Sequence, residues 1–381
     1  MNVARLDEVV ISGALASRVS SLLPELEATA IADDRDELLP LAGLRLLARC
    51  GAMGAVLPPI SGGCALGWLR GASPLLMEIL VMIGGAHLSL GRLYEGHVNA
   101  FQLLWSLGCA AQRQEVCRYV ADGKLLGVWN APHATGPLVL LDGRKGGYVL
   151  DGQKAYASGA GYVERPLVTA EHAELGRVLV WPRGGYAAGP MSDWEMHGMR
   201  ASVTRSVRFD NVAISADEIV GHDDDYHKEP LFSAGAWRFL AVQLGAGERL
   251  GQLMAAALVR ARRQQDAHQK GRMADVVTAL ATARLWADKA RLAAHDGALS
   301  PIDAVQTVGM ARTAIERQLL EVITLVQRSV GLGAFRRSDP LELVARDLAT
   351  YLRQPMPDLV RDKIGEWAFA DPARAIGNPA L

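Results

Sequence analysis

Apolar positions along this chain change rhythm twice. Up to about Asp122 they come in Leu- and Ala-rich runs with few β-branched stretches. The spacing predicts helices over residues 38–49, 75–83, 94–107 and 112–120, with Pro58-Pro59 and Gly62-Gly63 marking a loop. The 94–107 segment, YEGHVNAFQLLWSL, is mostly apolar and reads as a buried helix. After Asp122 the pattern shortens, and turn signals recur at Asp142-Gly143, Gly146-Gly147, Asp151-Gly152 and Gly184-Gly185. Between them residues alternate: Val207 and Phe209 point one way, Ser206 and Arg208 the other. A small antiparallel barrel or sandwich is expected over 123–221.

The third rhythm is helical again. An acidic stretch at 223–225 reads as a solvated linker, and 237–263 as one long helix. Gly245, Gly247 and Gly251 lie in that helix, each costing about 1 kcal/mol against Ala, a cost easiest to justify where another backbone or a ligand comes close. A second helix spans 273–294. Ile315, Leu319, Val322, Val326 and Val330 form the stripe of a third. Asp339-Pro340 opens a fourth, which Pro355 and Pro357 end. The expected fold is α+β: an N-terminal helical domain (1–122), a central antiparallel β-barrel domain (123–221) and a C-terminal four-helix bundle (222–381).

Composition narrows the function. Of 381 residues, 50% are hydrophobic and 21% charged, which describes a globular chain of two or three domains rather than a disordered one. Forty basic residues against 41 acidic ones leave no footprint for nucleic acid or an acidic membrane. The start, MNVARLDEVVIS, lacks the pattern of a secretory signal. The most apolar window, 75–90, is broken by Glu78, two glycines and His87. Cys50, Cys64, Cys109 and Cys117 have neither CxxC pairing nor metal-ligand spacing. A cytoplasmic protein without a bound metal is expected.

Three stretches bring in a resemblance: LDGQKAYASGAGYVERPLVTA (150–170), MHGMRASVTRSVRFDNVAISADEIVG (196–221) and VGLGAFRRSDPLELVARDL (330–348). In this order, with helices, strands and helices around them, they resemble the acyl-CoA dehydrogenase superfamily. The resemblance implies a flavoprotein oxidoreductase carrying FAD, or alternatively FMN. It implies that Tyr156 packs on the flavin ring and that the Ser158 hydroxyl bonds near flavin N5. Asn130, in WNAPHATG, takes the place of a threonine at the pyrimidine edge, and Thr135 roughly that of a phosphate-contacting serine. Arg238 matches an arginine near the thioester pocket, and Arg346-Asp347 a pair that orients the C-terminal helix.

The chain also departs from that family. Its catalytic glutamate falls on Pro355 in one alignment and on Trp237 in the other, and Glu248 lies about three turns beyond the latter. The Arg-x-x-Phe-Gly loop that reaches a neighbouring subunit's flavin diphosphate is absent, and Arg262, Arg263 and Arg272 stand in its place without one being singled out. Glu95 and His97, on the buried helix, are the candidate replacements for the base. The plain alternatives are an ion pair of Glu95 with Arg92 and a hydrogen-bonded core role for His97. The leading expectation is oxidation of an acyl thioester or related small molecule, with electrons passing to an electron-transfer flavoprotein. The second is monooxygenation fed by a flavin reductase, since His97, Asn130 and Ser158 resemble residues of that branch. The third is a non-catalytic scaffold. A homodimer or homotetramer is expected, with no nucleic acid and no membrane as partner.

Overall fold

Five helices precede the first strand: α1 (Val3–Arg35), α2 (Leu41–Arg49), α3 (Ser73–Ala86), α4 (Leu88–Leu107) and α5 (Ala110–Ala121). The computed structural model describes residues 3–143, 146–222, 224–295, 299–337 and 339–376; Asp223, in the expected acidic linker, lies outside these. The apolar spacing anticipates α2 to α5 but assigns no element to α1, which contains Pro24. An internal proline costs about 3 kcal/mol. Leu15, Val19 and Leu26 are all but fully buried, and each such side chain contributes about 1.5–3 kcal/mol, so packing outweighs the break. In α4, Tyr94, Val98, Phe101 and Leu104 have no exposed surface, as its apolar composition predicts.

The short-period segment forms eight strands: β1 (Val128–Trp129), β2 (Val139–Asp142), β3 (Tyr148–Ala157), β4 (Leu167–His172), β5 (Gly176–Val180), β6 (Ala187–Ala188), β7 (Arg205–Ile214) and β8 (Ile219–Val220). They form one sheet in the order β6-β7-β3-β2-β4-β5-β8, with β1 on β4. This corrects the expected antiparallel barrel. The path ends at β6 and β8 without closing, and β4 runs parallel to both β1 and β2. Closure requires a register carried around the whole ring, and β6 and β8 have only two residues each. One face packs a core of Trp129, Leu140, Leu150, Val168, Val207 and Phe209. Ser206 and Arg208 point away from it, as the alternation predicts.

These elements make up most of one compact unit: the chain up to Ile79, Ser89–Met196 and Arg200–Lys228. The other unit holds Leu80–Leu88, His197–Met199 and the chain from Glu229 onward. Its helices are α6 (Leu231–Ala234), α7 (Trp237–Arg260), α8 (Ala267–His295), α9 (Pro301–Val330), α10 (Pro340–Tyr351), α11 (Pro357–Ala370) and α12 (Pro372–Ala375). Helices α7, α8 and α9 pack on one another, α10 on α7 and α11 on α9. The α9 stripe Ile315, Leu319, Val322 and Val326 is fully buried. Asp339 caps α10 by accepting the Leu341 N–H at 2.9 Å. Pro357, read from the sequence as a terminator, instead opens α11 at its first turn.

The α7 glycines have an intramolecular use. A Cβ on Gly245 would lie 2.0 Å from the Val81 carbonyl oxygen, and one on Gly247 would lie 2.4 Å from a Leu319 methyl. Among the described residues, no helix is long and apolar enough to cross a membrane.

Candidate functional site

Tyr156 occupies a strained position. It lies in the register shift between Lys154 and Ala157 where β3 pairs with β7, and its φ is +55°. A bulky side chain in the left-handed region costs roughly 1–2 kcal/mol, and bulges of this kind re-aim side chains. The result is an aromatic ring 61% exposed, with the Trp194 ring edge-on at 6.3 Å. Two residues on, the Ser158 hydroxyl is 3.0 Å from Thr204 Oγ1, which in turn is 2.7 Å from Ser202 Oγ. Ser202 and Thr204 are buried while Ser158 is partly open. An exposed ring face beside a chain of three hydroxyls is a donor and stacking set that suits the edge of a planar heteroaromatic ring. The sequence reading missed Ser202, Thr204 and Trp194, because they meet β3 only through tertiary pairing.

Asn130 follows β1 and is embedded in polar contacts. Its Oδ1 accepts from the Thr169 hydroxyl at 2.7 Å. Lys154 Nζ donates to Thr169 Oγ1 at 2.8 Å and to the Asn130 carbonyl at 3.1 Å. Lys154 is 4% exposed, and burial pushes its ammonium down to about 8. Thr135 sits in an exposed turn, its hydroxyl 2.8 Å from His133 Nδ1.

The two candidate bases on α4 are both engaged. Glu95 accepts from Arg92 Nη1 at 2.7 Å. His97 is fully buried. Its Nδ1 accepts the Leu126 N–H at 3.2 Å, and its Nε2 lies 3.0 Å from the Met53 carbonyl. That arrangement fixes the neutral ring with its hydrogen on Nε2, and burial pushes its pKa down to about 4. Neither ring nitrogen is left for a substrate in this conformation.

In the other unit, Arg238 is buried in the first turn of α7 rather than solvated. Trp237 is buried, and Pro355 is exposed, with its carbonyl accepting from Arg312 Nη2 at 2.8 Å. Glu248 is tied to Arg284 at 2.9 Å. Arg346 donates to the His197 carbonyl at 2.9 Å, and Asp347 accepts the Met199 N–H at 2.7 Å, so this pair anchors a turn. Of the arginines the sequence left undecided, Arg263 and Arg272 converge on one neutral group. With the Gln269 amide in its satisfied orientation, its oxygen accepts from Arg263 Nη2 at 2.6 Å and Arg272 Nη1 at 3.2 Å. Cys50, Cys64, Cys109 and Cys117 are free thiols. Among the described residues, no group of three or more His, Cys, Asp or Glu is placed to hold a metal.

The fold is that of the acyl-CoA dehydrogenases. Butyryl-CoA dehydrogenase from Megasphaera elsdenii superposes with a TM-score of 0.78 at 16% identity, over 94% of this chain and 98% of that one. The structure of KijD3 in complex with FMN and a dTDP-linked amino-keto sugar superposes at 0.83, with 22% identity and 94% of each chain covered. No protein-family profile matches the chain. Among curated proteins it is similar to the amino sugar nitrososynthase DnmZ of Streptomyces peucetius, 23% identical over 353 residues, 86% of this chain and 85% of that protein. It is also similar to dibenzothiophene monooxygenase of Rhodococcus erythropolis, 26% identical over 214 residues, 52% of this chain and 49% of that one.

Proposed function

We propose that this protein is a flavin-dependent monooxygenase that takes reduced flavin from a partner reductase and oxidises a small organic molecule with dioxygen. The observation that carries the reading is the absence of a carboxylate from both expected base positions, Trp237 and Pro355, while Glu95 and His97 are already engaged. Removal of an α proton needs a free base; oxygen transfer does not. The similarity to a nitrososynthase and to a dibenzothiophene monooxygenase supports the same choice.

The donor set fits a flavin. The Tyr156 ring offers a face for the isoalloxazine, the Ser158 hydroxyl a donor backed by Thr204, and the Asn130 amide a donor for the pyrimidine edge. A bound reduced flavin supplies the electrons that activate dioxygen. The residues would orient it. Arg263 and Arg272 share a neutral acceptor and would take the phosphate of a flavin carried by a second copy, in a homodimer or homotetramer. With the family's diphosphate loop missing, FMN is the preferred cofactor over FAD.

A second reading, oxidation of an acyl thioester, rests on Glu95 being only 6% exposed, a placement that would make a carboxylate released from Arg92 a competent base. The experiment is anaerobic titration followed by oxygen. A monooxygenase holds FMN, is not bleached by acyl thioesters, and consumes oxygen with reduced FMN. Bleaching by an acyl-CoA would overturn the proposal in favour of the second reading. Failure to bind either flavin would leave a non-catalytic scaffold.

A further inference from the structure

Asn130 is held from two sides. Behind it stand Thr169 and Lys154, 3% and 4% exposed. In front, its Nδ2 is 3.5 Å from His227 Nε2, and His227 Nδ1 is 2.7 Å from Asp224 Oδ1. The direction of every hydrogen follows from chemistry. An ammonium only donates, so Thr169 Oγ1 accepts from Lys154 and spends its own hydrogen on Asn130 Oδ1. The Asn130 amide nitrogen is thereby turned to His227, whose Nε2 must accept. That requires the ring hydrogen on Nδ1, where the Asp224 carboxylate receives it. Four groups therefore donate in one sense along a chain drawn from four separate segments, from a buried cation to the carboxylate that ends it. One Asn130 N–H is left over for a bound group.

Among the described residues, charged groups near the His227 ring come from its own turn and from the elements packed against it. Asp224 faces Nδ1, and Arg177 of β5 lies 4.0 Å from that carboxylate. Asp225 is paired with Lys228, and the Tyr226 ring lies 4.8 Å away. Lys154 stands behind Thr169, with Glu171 acting on it through space.

We infer that His227, oriented by Asp224, is a positioning residue that holds the Asn130 amide with its N–H toward the bound group, and that protonation of His227 turns the amide over. A protonated Nε2 faces a donor with a donor, so the amide must present its oxygen there instead. Thr169 Oγ1 can then accept from Nδ2 through its second lone pair and turn its own hydrogen to the Asn130 carbonyl, 3.4 Å away. The group offered to the ligand changes from donor to acceptor. The inference rests on the reading of Asn130 as a flavin contact. It makes flavin affinity fall in acid for a reason located outside the flavin site.

The test measures FMN affinity of the apoprotein by fluorescence quenching from pH 8 to pH 5.5, in wild type, His227→Gln, Asp224→Asn and Asn130→Ala. One hydrogen bond gained or lost changes affinity about fivefold. Wild-type affinity should fall by at least about that factor. His227→Gln accepts from Asn130 without titrating and should lack that fall, while Asp224→Asn should move its midpoint to lower pH. The FMN phosphate ionises in all four proteins, so the difference between profiles is the readout. Histidine ring ¹⁵N NMR of the apoprotein checks the geometry without flavin: neutral His227 should carry its hydrogen on Nδ1. An Nε2–H tautomer, or a His227→Gln profile identical to wild type while Asn130→Ala binds weakly, overturns the inference. If Asn130→Ala binds FMN as wild type does, the flavin reading of Asn130 fails instead, and the tautomer alone decides the positioning of the amide.

Discussion

His97 is where the structural and catalytic readings separate most sharply, and the titration of the fold distinguishes them. Its pKa is pushed down by burial to about 4, against about 6.5 for an unfolded histidine. Between these values the unfolded chain binds the extra proton and the native chain does not, so stability rises with pH. The contribution is intact above about pH 6.5 and is lost as pH falls toward 4. Linkage between pH 7 and pH 5 gives a loss of about 2 kcal/mol from this one ring. His97→Gln removes the titration. It also leaves one of two buried partners, the Leu126 N–H or the Met53 carbonyl, without its hydrogen bond, at a cost of about 1–3 kcal/mol. Urea unfolding followed by tryptophan fluorescence should therefore show a less stable variant at pH 7. Its stability should fall by about 2 kcal/mol less than wild type on going to pH 5. FMN binding and oxygen consumption should remain within a few-fold. Parallel pH profiles for the two proteins, or a variant of wild-type stability that has lost turnover by a hundredfold or more, would refute the reasoning.

Three other substitutions test separate parts of the argument. Tyr156→Gly and Tyr156→Ala should weaken FMN binding alike, but the glycine variant should be the more stable in thermal melts by about 1 kcal/mol, because only Gly accepts φ +55° without strain; equal stability removes the strain from the account. Glu95→Gln removes the charge from the pair with Arg92 while leaving an amide oxygen that can still accept, so it should cost only about 1 kcal/mol of stability with turnover little changed, whereas a loss of about a hundredfold or more with flavin still bound would make Glu95 the base. Gly245→Ala places a Cβ 2.0 Å from the Val81 carbonyl oxygen and should destabilise by about 1–3 kcal/mol; a neutral effect would mean that α7 is free to move away.

Much of the architecture is legible in one dimension because hydrophobic period and turn chemistry are local. The α9 stripe, the Asp339-Pro340 start of α10 and the inward Val207 and Phe209 of β7 follow from spacing alone. The motif around Tyr156 and Ser158 is local in the same sense, as is the absence of a carboxylate at Trp237 and Pro355. What the sequence does not carry is any interaction whose partners lie far apart in the chain. No element is assigned from spacing to the residues before Leu38, and burial along α1 makes that segment helical through Pro24. Strand alternation cannot say whether a sheet closes; pairing order and the two-residue strands β6 and β8 leave it open. The pairing of Glu95 with Arg92, three residues before it, is local and open to the sequence, but the partners that engage His97, Met53 and Leu126, lie 44 and 29 positions away. Asn130 is one amide in a loop until folding brings Thr169, Lys154 and His227 around it. Burial and hydrogen-bond satisfaction are properties of the packed chain, so tertiary structure alone decides which polar side chains are committed and which remain for chemistry.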